Sequence, residues 1–196
     1  MQKHDSQATQ PVSDKPIVYI LKVGGGLVAQ SYENTKVIAT TEDDNAPAFF
    51  NEQIASNPPG IFICLDKHSS LASADSVKKI VDVFLNNRNI PCIIYTDVLM
   101  VDNGVRIPTF LPAFAQDEAL GGVFNINHVL IFDTYGNHMP PNPFNEKLET
   151  VYYYDLFMRM STSYILTHVA DLLCTIEANR QVSQADMQLL NEQSRP

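Results

Sequence analysis

The chain has 196 residues, of which 45% are hydrophobic and 18% charged, and 13 Lys and Arg stand against 22 Asp and Glu for a net charge of −9. That composition excludes a wholly disordered chain and suits one domain with a sizeable core, since domains commonly run about 100–200 residues. The acidic balance and the lack of any basic run argue against a nucleic acid partner, because neutralising phosphates needs concentrated Lys and Arg.

Residues 1–16 (MQKHDSQATQPVSDKP) read as a polar arm without the apolar stretch of a signal peptide. Ile17 to Val23 (IVYILKV) is a continuous apolar run ended by Gly24-Gly25-Gly26, the pattern of a buried strand entering a turn. Lys36 to Thr41 predicts a second strand, followed by the acidic loop Glu42-Asp43-Asp44-Asn45 and a short helix over Ala48 to Ala55. Asn57-Pro58-Pro59-Gly60 is a turn, and Ile61 to Leu65 (IFICL) is the most apolar strand signal, ending at Asp66-Lys67-His68-Ser69-Ser70. Ser73 or Asp75 then caps a helix through Asn87, with Val77, Ile80, Val81, Phe84 and Leu85 on one face. Ile90 to Thr96 (IPCIIYT) predicts the next strand. Alternation of strand, helix and strand indicates an α/β domain whose sheet is parallel at least in part.

Beyond Asp97 the pattern changes. Val101 to Val105 is a hairpin-like turn, Pro108 to Phe114 an irregular apolar segment, and Phe124 to Ile126 and Val129 to Phe132 are short strands. Met139 to Phe144 (MPPNPF) must be a loop, because its prolines cannot sustain a helix or a central strand. From Thr150 to Asn179 no Pro or Gly interrupts the chain, which predicts a mostly helical segment, and the polar tail from Arg180 holds a further short helix. No apolar run reaches the roughly 18–20 residues of a membrane-spanning helix. Three widely spaced cysteines, Cys64, Cys92 and Cys174, suggest neither a disulfide framework nor a cysteine zinc site, and a reducing compartment fits them.

In this order the segments IFICLDKHSS (from Ile61), IIYTDVLMVDNG (ending at Gly104), NINHVLIFD (from Asn125), FNEKLETVYYYDLFMRM (from Phe144) and HVADLLCTIEANRQVS (from His168) resemble the family 2 inverting glycosyltransferases. The likeness covers Ile17 to Ser183 and lies in the collinear order of weak signals. It implies an α/β domain of the GT-A kind over residues 17–183, a three-layer sandwich with a mixed, centrally parallel sheet, flanked by the arm of residues 1–16 and a polar tail of residues 184–196. By resemblance, Asp66 and His68 stand at the metal position, where Mn²⁺ or Mg²⁺ would neutralise the leaving diphosphate of a nucleotide-sugar. Glu42, Asp43 and Asp44 correspond to acidic residues that meet the nucleotide. Asp155, in Asp155-Leu156-x-x-Arg159, stands near the acceptor, and either it or Glu149 a few residues upstream would take the role of proton-accepting carboxylate. The His168 segment resembles a strand that closes many family members.

The chain departs from the family pattern at several places. His68 replaces the second Asp of the usual Asp-x-Asp, and Tyr152 and Tyr153 fall where two acidic residues are expected. A tyrosine of ordinary pKa, about 10, is a poor proton acceptor at neutral pH. The stretches Gly24 to Thr35 and Asn45 to Gly60 are short for the nucleotide half. Each candidate also has a structural reading: Asp66 caps the turn after a buried strand, residues 42–44 form an exposed acidic turn, and Asp155 pairs with Arg159 four positions on. Tyr152-Tyr153-Tyr154 and Phe157 read as packing a helix against the sheet. Gly24-Gly25-Gly26 lacks a phosphate-binding spacing, His128 and His138 join no zinc motif, and no serine sits in a nucleophile elbow. Two functions follow: a glycosyltransferase-like domain acting on a nucleotide-sugar and an acceptor, or a non-catalytic subunit of a larger assembly, such as a virion component, with terminal arms that dock on protein neighbours. Both suit the cytoplasm or a particle assembled there.

Overall fold

Ile61 to Leu65 is buried at every position, and a strand apolar on both faces requires cover on both sides of its sheet. The computed structural model describes residues 15–41, 45–87, 92–111, 129–135, 139–161, 164–178 and 183–193. In chain order these form β1 (Val18–Val23), β2 (Thr35–Thr40), α1 (Ala46–Ser56), β3 (Ile61–Leu65), β4 (Ser69–Leu71), α2 (Ser76–Asn86), β5 (Cys92–Asp102), β6 (Val105–Thr109), β7 (Ile131–Asp133), α3 (Tyr152–Met160), β8 (Ile165–Glu177) and α4 (Gln184–Gln193). The sheet runs β2-β1-β3-β7-β5-β8-β4, with β6 paired to β5. β1 is parallel to β2 and β3, and β5 is parallel to β8. β7 is antiparallel to both β3 and β5, as β4 is to β8 and β6 to β5. The domain is α/β with a mixed sheet.

Alternation along the buried strands divides the core between the two faces. Tyr19, Leu21, Phe62, Cys64, Ile93, Tyr95 and Phe132 pack with Phe50 of α1 and Tyr152, Tyr153, Leu156 and Phe157 of α3. Their neighbours Val18, Ile20, Ile61, Ile63, Ile94 and Ile131 pack with Val77, Ile80, Val81 and Phe84 of α2. The apolar face expected for this helix is the one that is buried. The Asn45 side chain caps α1 by accepting from the Ala48 amide at 3.2 Å. Asp75 is the N-cap residue of α2, but its side chain makes no capping bond and accepts instead from the Ser31 hydroxyl at 2.7 Å.

Two sequence expectations are corrected. Pro108 and Thr109, expected to begin an irregular segment, lie inside β6; Phe110 and Leu111 are irregular as expected, and residues 112–114 lie outside the described residues. The turn Asn103-Gly104 has positive φ at both residues (48° and 80°), the conformation whose twist suits a two-residue hairpin. Counting the antiparallel alternation from that turn puts Pro108 at a position whose nitrogen points away from β5, where a missing N–H costs no ladder bond. The segment Thr150 to Asn179 is not mostly helical: α3 ends at Met160, and Ile165–Glu177 is a 13-residue strand in register with β5. Freedom from Pro and Gly permits either state, and pairing along most of β5 decides for the strand. Among the described residues no helix is long and apolar enough to cross a membrane.

Gly60 leads into β3 where the backbone meets an aromatic ring. A Cβ there would lie 2.6 Å from Tyr19 Cε2 and 2.8 Å from the Ile17 carbonyl oxygen. The Gly60 carbonyl also accepts from the Thr134 amide at 3.0 Å, so the segment cannot easily move aside. Gly60→Ala is expected to cost about 1–3 kcal/mol as overpacking against Tyr19, read as a lower urea midpoint. A loss below about 0.5 kcal/mol would mean the close approach is relaxed in solution.

Candidate functional site

The carboxyl ends of β1 and β3 lie side by side, and their last carbonyls are buried away from water. Such groups need internal partners. Lys22, itself 2% exposed, donates from Nζ to the carbonyls of Val23 at 2.6 Å and Asp66 at 2.7 Å. Asp66 is 3% exposed. Its Oδ1 accepts the His68 amide at 3.0 Å, the local turn expected of an Asp after a strand, and its Oδ2 accepts the Tyr152 hydroxyl at 3.2 Å. The Tyr153 hydroxyl donates to the Cys64 carbonyl at 2.8 Å. The first two residues of α3 thus fasten that helix to the end of β3.

The two residues at the expected metal position face different partners. The His68 ring nitrogen Nδ1 lies 2.7 Å from Glu177 Oε2, an exposed pair that ties the turn after β3 to the end of β8. The Asp66 carboxylate is turned toward Tyr152. Among the described residues no three His, Cys, Asp or Glu side chains are grouped to hold a metal ion. Glu42, Asp43 and Asp44, together with His128 and His138, lie outside the described residues.

Asp155 is buried in the first turn of α3, and its Oδ2 accepts from Arg159 Nε at 2.9 Å and Nη2 at 2.7 Å. Nη2 also reaches the Pro143 carbonyl at 2.5 Å, so the i,i+4 pair joins the helix to the proline-rich loop. Arg159 is aimed at both carboxylate and carbonyl, as the fork of a guanidinium allows.

Two further clusters have no local signal in the sequence. Asp97 and His168 are separated by 71 residues, yet the register of β5 and β8 places His168 Nε2 2.8 Å from Asp97 Oδ1, which also accepts the Leu111 amide at 2.8 Å. The His168 ring stacks on Tyr95 with centroids 5.0 Å apart. Register shifts on either side of Asp97 mark a β-bulge, a device that re-aims side chains.

The other cluster centres on Asp186 of α4. Its carboxylate accepts the amides of Glu149, Thr150 and Val151, at 2.6 to 3.3 Å, and the Thr150 hydroxyl at 2.6 Å. A distant carboxylate thus holds the amides that precede α3, where negative charge is favoured. Burial raises the Asp186 pKa, but the hydrogen bonds from Thr150, Glu149 and Val151 together outweigh it and leave the carboxyl below its usual 3.8.

The thiols offer no nucleophile at neutral pH. Burial pushes Cys92, with help from the Asp133 charge, and Cys174 up to about 12, and raises Cys64 as well. Comparison of the chain with protein-family models and with curated protein sequences gives no match.

Asp186→Ala leaves three amides and a hydroxyl without their acceptor and is expected to cost about 2–3 kcal/mol at pH 7, measured by urea unfolding. Because the folded carboxyl is held below 3.8, its stabilisation is complete above the unfolded value and is lost as pH falls through the folded one. The gap between wild type and variant should therefore narrow below about pH 3.8. A gap that stays constant from pH 6 down to about 2.5 would show that the charge contributes nothing.

Proposed function

We propose that the chain is a transferase-like α/β scaffold, of the GT-A kind its sequence resembles, that serves as an interaction subunit in a larger assembly and not by glycosyl transfer. Ancestry is supported by the parallel block β2-β1-β3, by apolar clusters on both faces of the sheet, and by the Asp-Leu-x-x-Arg start of α3. Together these would make the GT-A three-layer arrangement, with Asp66 at the family's metal-binding turn.

The observation that carries the loss of catalysis is the engagement of Asp66. Both carboxylate oxygens hold the fold: Oδ1 accepts a backbone amide of its own turn, and Oδ2 accepts the hydroxyl of the helix packed above it. A cation on Oδ2 would have to replace Tyr152, and the imidazole that would complete the pair is turned to Glu177. The residues as arranged do not fit a divalent ion. Asp155 is likewise engaged, by Arg159. The groups of the ancestral chemistry have become parts of the frame.

A second reading, binding of a nucleotide-sugar, is favoured by the place of Asp66. In open α/β sheets ligands lie at the carboxyl ends of strands where connections diverge, and β1 has β2 on one side and β3 on the other. In that reading Mn²⁺ or Mg²⁺ would take Asp66 and His68, and Asp155 would face the acceptor.

Titration calorimetry with UDP- and GDP-sugars plus Mn²⁺ separates the two. No saturable heat is expected, whereas Tyr152→Phe should lower stability by about 1–2 kcal/mol through loss of its buried hydrogen bond to Asp66. Saturable heat that disappears in Asp66→Asn would overturn the scaffold reading in favour of the second.

A further inference from the structure

We propose that Asn103, at the tip of the β5–β6 hairpin, is a self-modification site: it closes on Gly104 to a succinimide, which opens to aspartate or isoaspartate, and the isoaspartate unfastens β6 from β5. The site is independent of any transferase ancestry. Of all the asparagines in the sequence, Asn103 alone is followed by glycine. Ring closure sets the backbone nitrogen of the next residue against the asparagine side-chain carbonyl carbon, and a Cβ on that next residue obstructs it. Gly104 carries none, and the place a Cβ would take has no atom within 4 Å.

The fold puts the pair where this reaction is open. Both residues are exposed. They are the two central residues of the turn, with φ of 48° and 80°, so the ladder begins at Asp102 and Val105 on either side of them. Among the described residues the Gly104 amide makes no backbone hydrogen bond. Asn103 Nδ2, the nitrogen that leaves, donates to Asp102 Oδ1 at 3.0 Å. Closure requires a rotation about the Cα–C bond of Asn103 out of its turn conformation. At an exposed tip that opening is local, of the kind that costs least in a fold.

The reaction needs only water and base. Hydroxide takes the Gly104 amide proton and the nitrogen attacks Asn103 Cγ. The N–Cγ bond forms, the Cγ–Nδ2 bond breaks, and Nδ2 leaves as ammonia with a proton from water. Water then opens the ring at either carbonyl. Attack at Cγ breaks the new N–Cγ bond and gives an aspartate in the original backbone. Attack at the backbone carbonyl carbon breaks its bond to nitrogen and gives isoaspartate, with the chain running through Cγ. Nothing is oxidised or reduced.

The two products differ in effect. Aspartate tolerates the left-handed region as asparagine does, so it keeps the turn while placing a second carboxylate beside Asp102. Isoaspartate adds a methylene to the main chain, and a two-residue turn of fixed twist has no room for it. The pair of Asp102 with Val105 loses register first, then that of Met100 with Ile107. β5 is held on its other side by β8, and the Ala178 amide donates to the Val101 carbonyl at 2.9 Å, so β6 is the strand released.

The full chain is kept in mildly alkaline buffer, folded and in parallel unfolded in urea. It is followed by peptide mass and by methyl transfer from S-adenosylmethionine with an isoaspartyl methyltransferase. The folded chain is expected to gain the mass of an amide-to-acid exchange in the peptide holding Asn103, and to become a methyl acceptor there, at a rate within about tenfold of the unfolded chain. Asn103→Gly keeps the turn chemistry but has no side chain to close, and should abolish both signals in that peptide. In the aged chain, amide exchange read by NMR should be faster at Val105 and Ile107 and unchanged along β8. Isoaspartate that forms in urea but not in the folded chain overturns the proposal, as does a methyl acceptor that persists in Asn103→Gly. Isoaspartate that leaves the Val105 and Ile107 amides protected overturns the release of β6.

Discussion

A sheet buried on both faces leaves its strand ends no water to bond to, and the structure around β1 and β3 answers that constraint. The carbonyls of Val23, Cys64 and Asp66 end in the interior, and they are met by the Lys22 ammonium and the Tyr153 hydroxyl. Asp66 in turn is met by its own turn and by Tyr152. Each donor comes from an element that the apolar packing has already brought close, so the polar bonds add specificity to a position that burial sets. α3 is placed by both: Leu156 and Phe157 enter the core, and the two tyrosine hydroxyls fix which residues of the strand end lie beneath the helix.

The same constraint gives the buried carboxylates of this chain structural partners. A carboxylate at the end of a parallel strand is useful in two ways: it can hold a cation or a substrate proton, or it can satisfy orphan donors at the edge of a buried layer. Asp66 after β3, Asp155 in α3 and Asp186 in α4 each accept from donors of the fold: a tyrosine and a turn amide, an arginine, and the amides before a helix, respectively.

Local signals were readable where they depend on near neighbours. IFICL at β3, the 77-80-81-84 face of α2 and the Asn-Gly turn of the β5–β6 hairpin follow from composition and spacing over a few residues. β8 was misread because its 13 residues carry no breaker and its state depends on β5, about 70 positions earlier. Pro108 was misread because a proline is tolerated on an edge strand, and edges are a property of the whole sheet. The site shows the same division. The strand-end position of Asp66 was visible, as was the spacing of Asp155 and Arg159. The bond from Tyr152 to Asp66 spans 86 residues, that from Thr150 to Asp186 spans 36, and no spacing rule connects such pairs.

The carboxyl end of the sheet and its lateral edge therefore stand in opposite states. At the carboxyl end the buried polar groups of Lys22, Asp66 and Asp97 are engaged within the chain, so a ligand binding there must break existing bonds before forming its own. Along β2 the backbone groups of Thr35, Val37 and Ala39 point away from β1, with Val37 exposed beside them, and no described strand pairs with that edge.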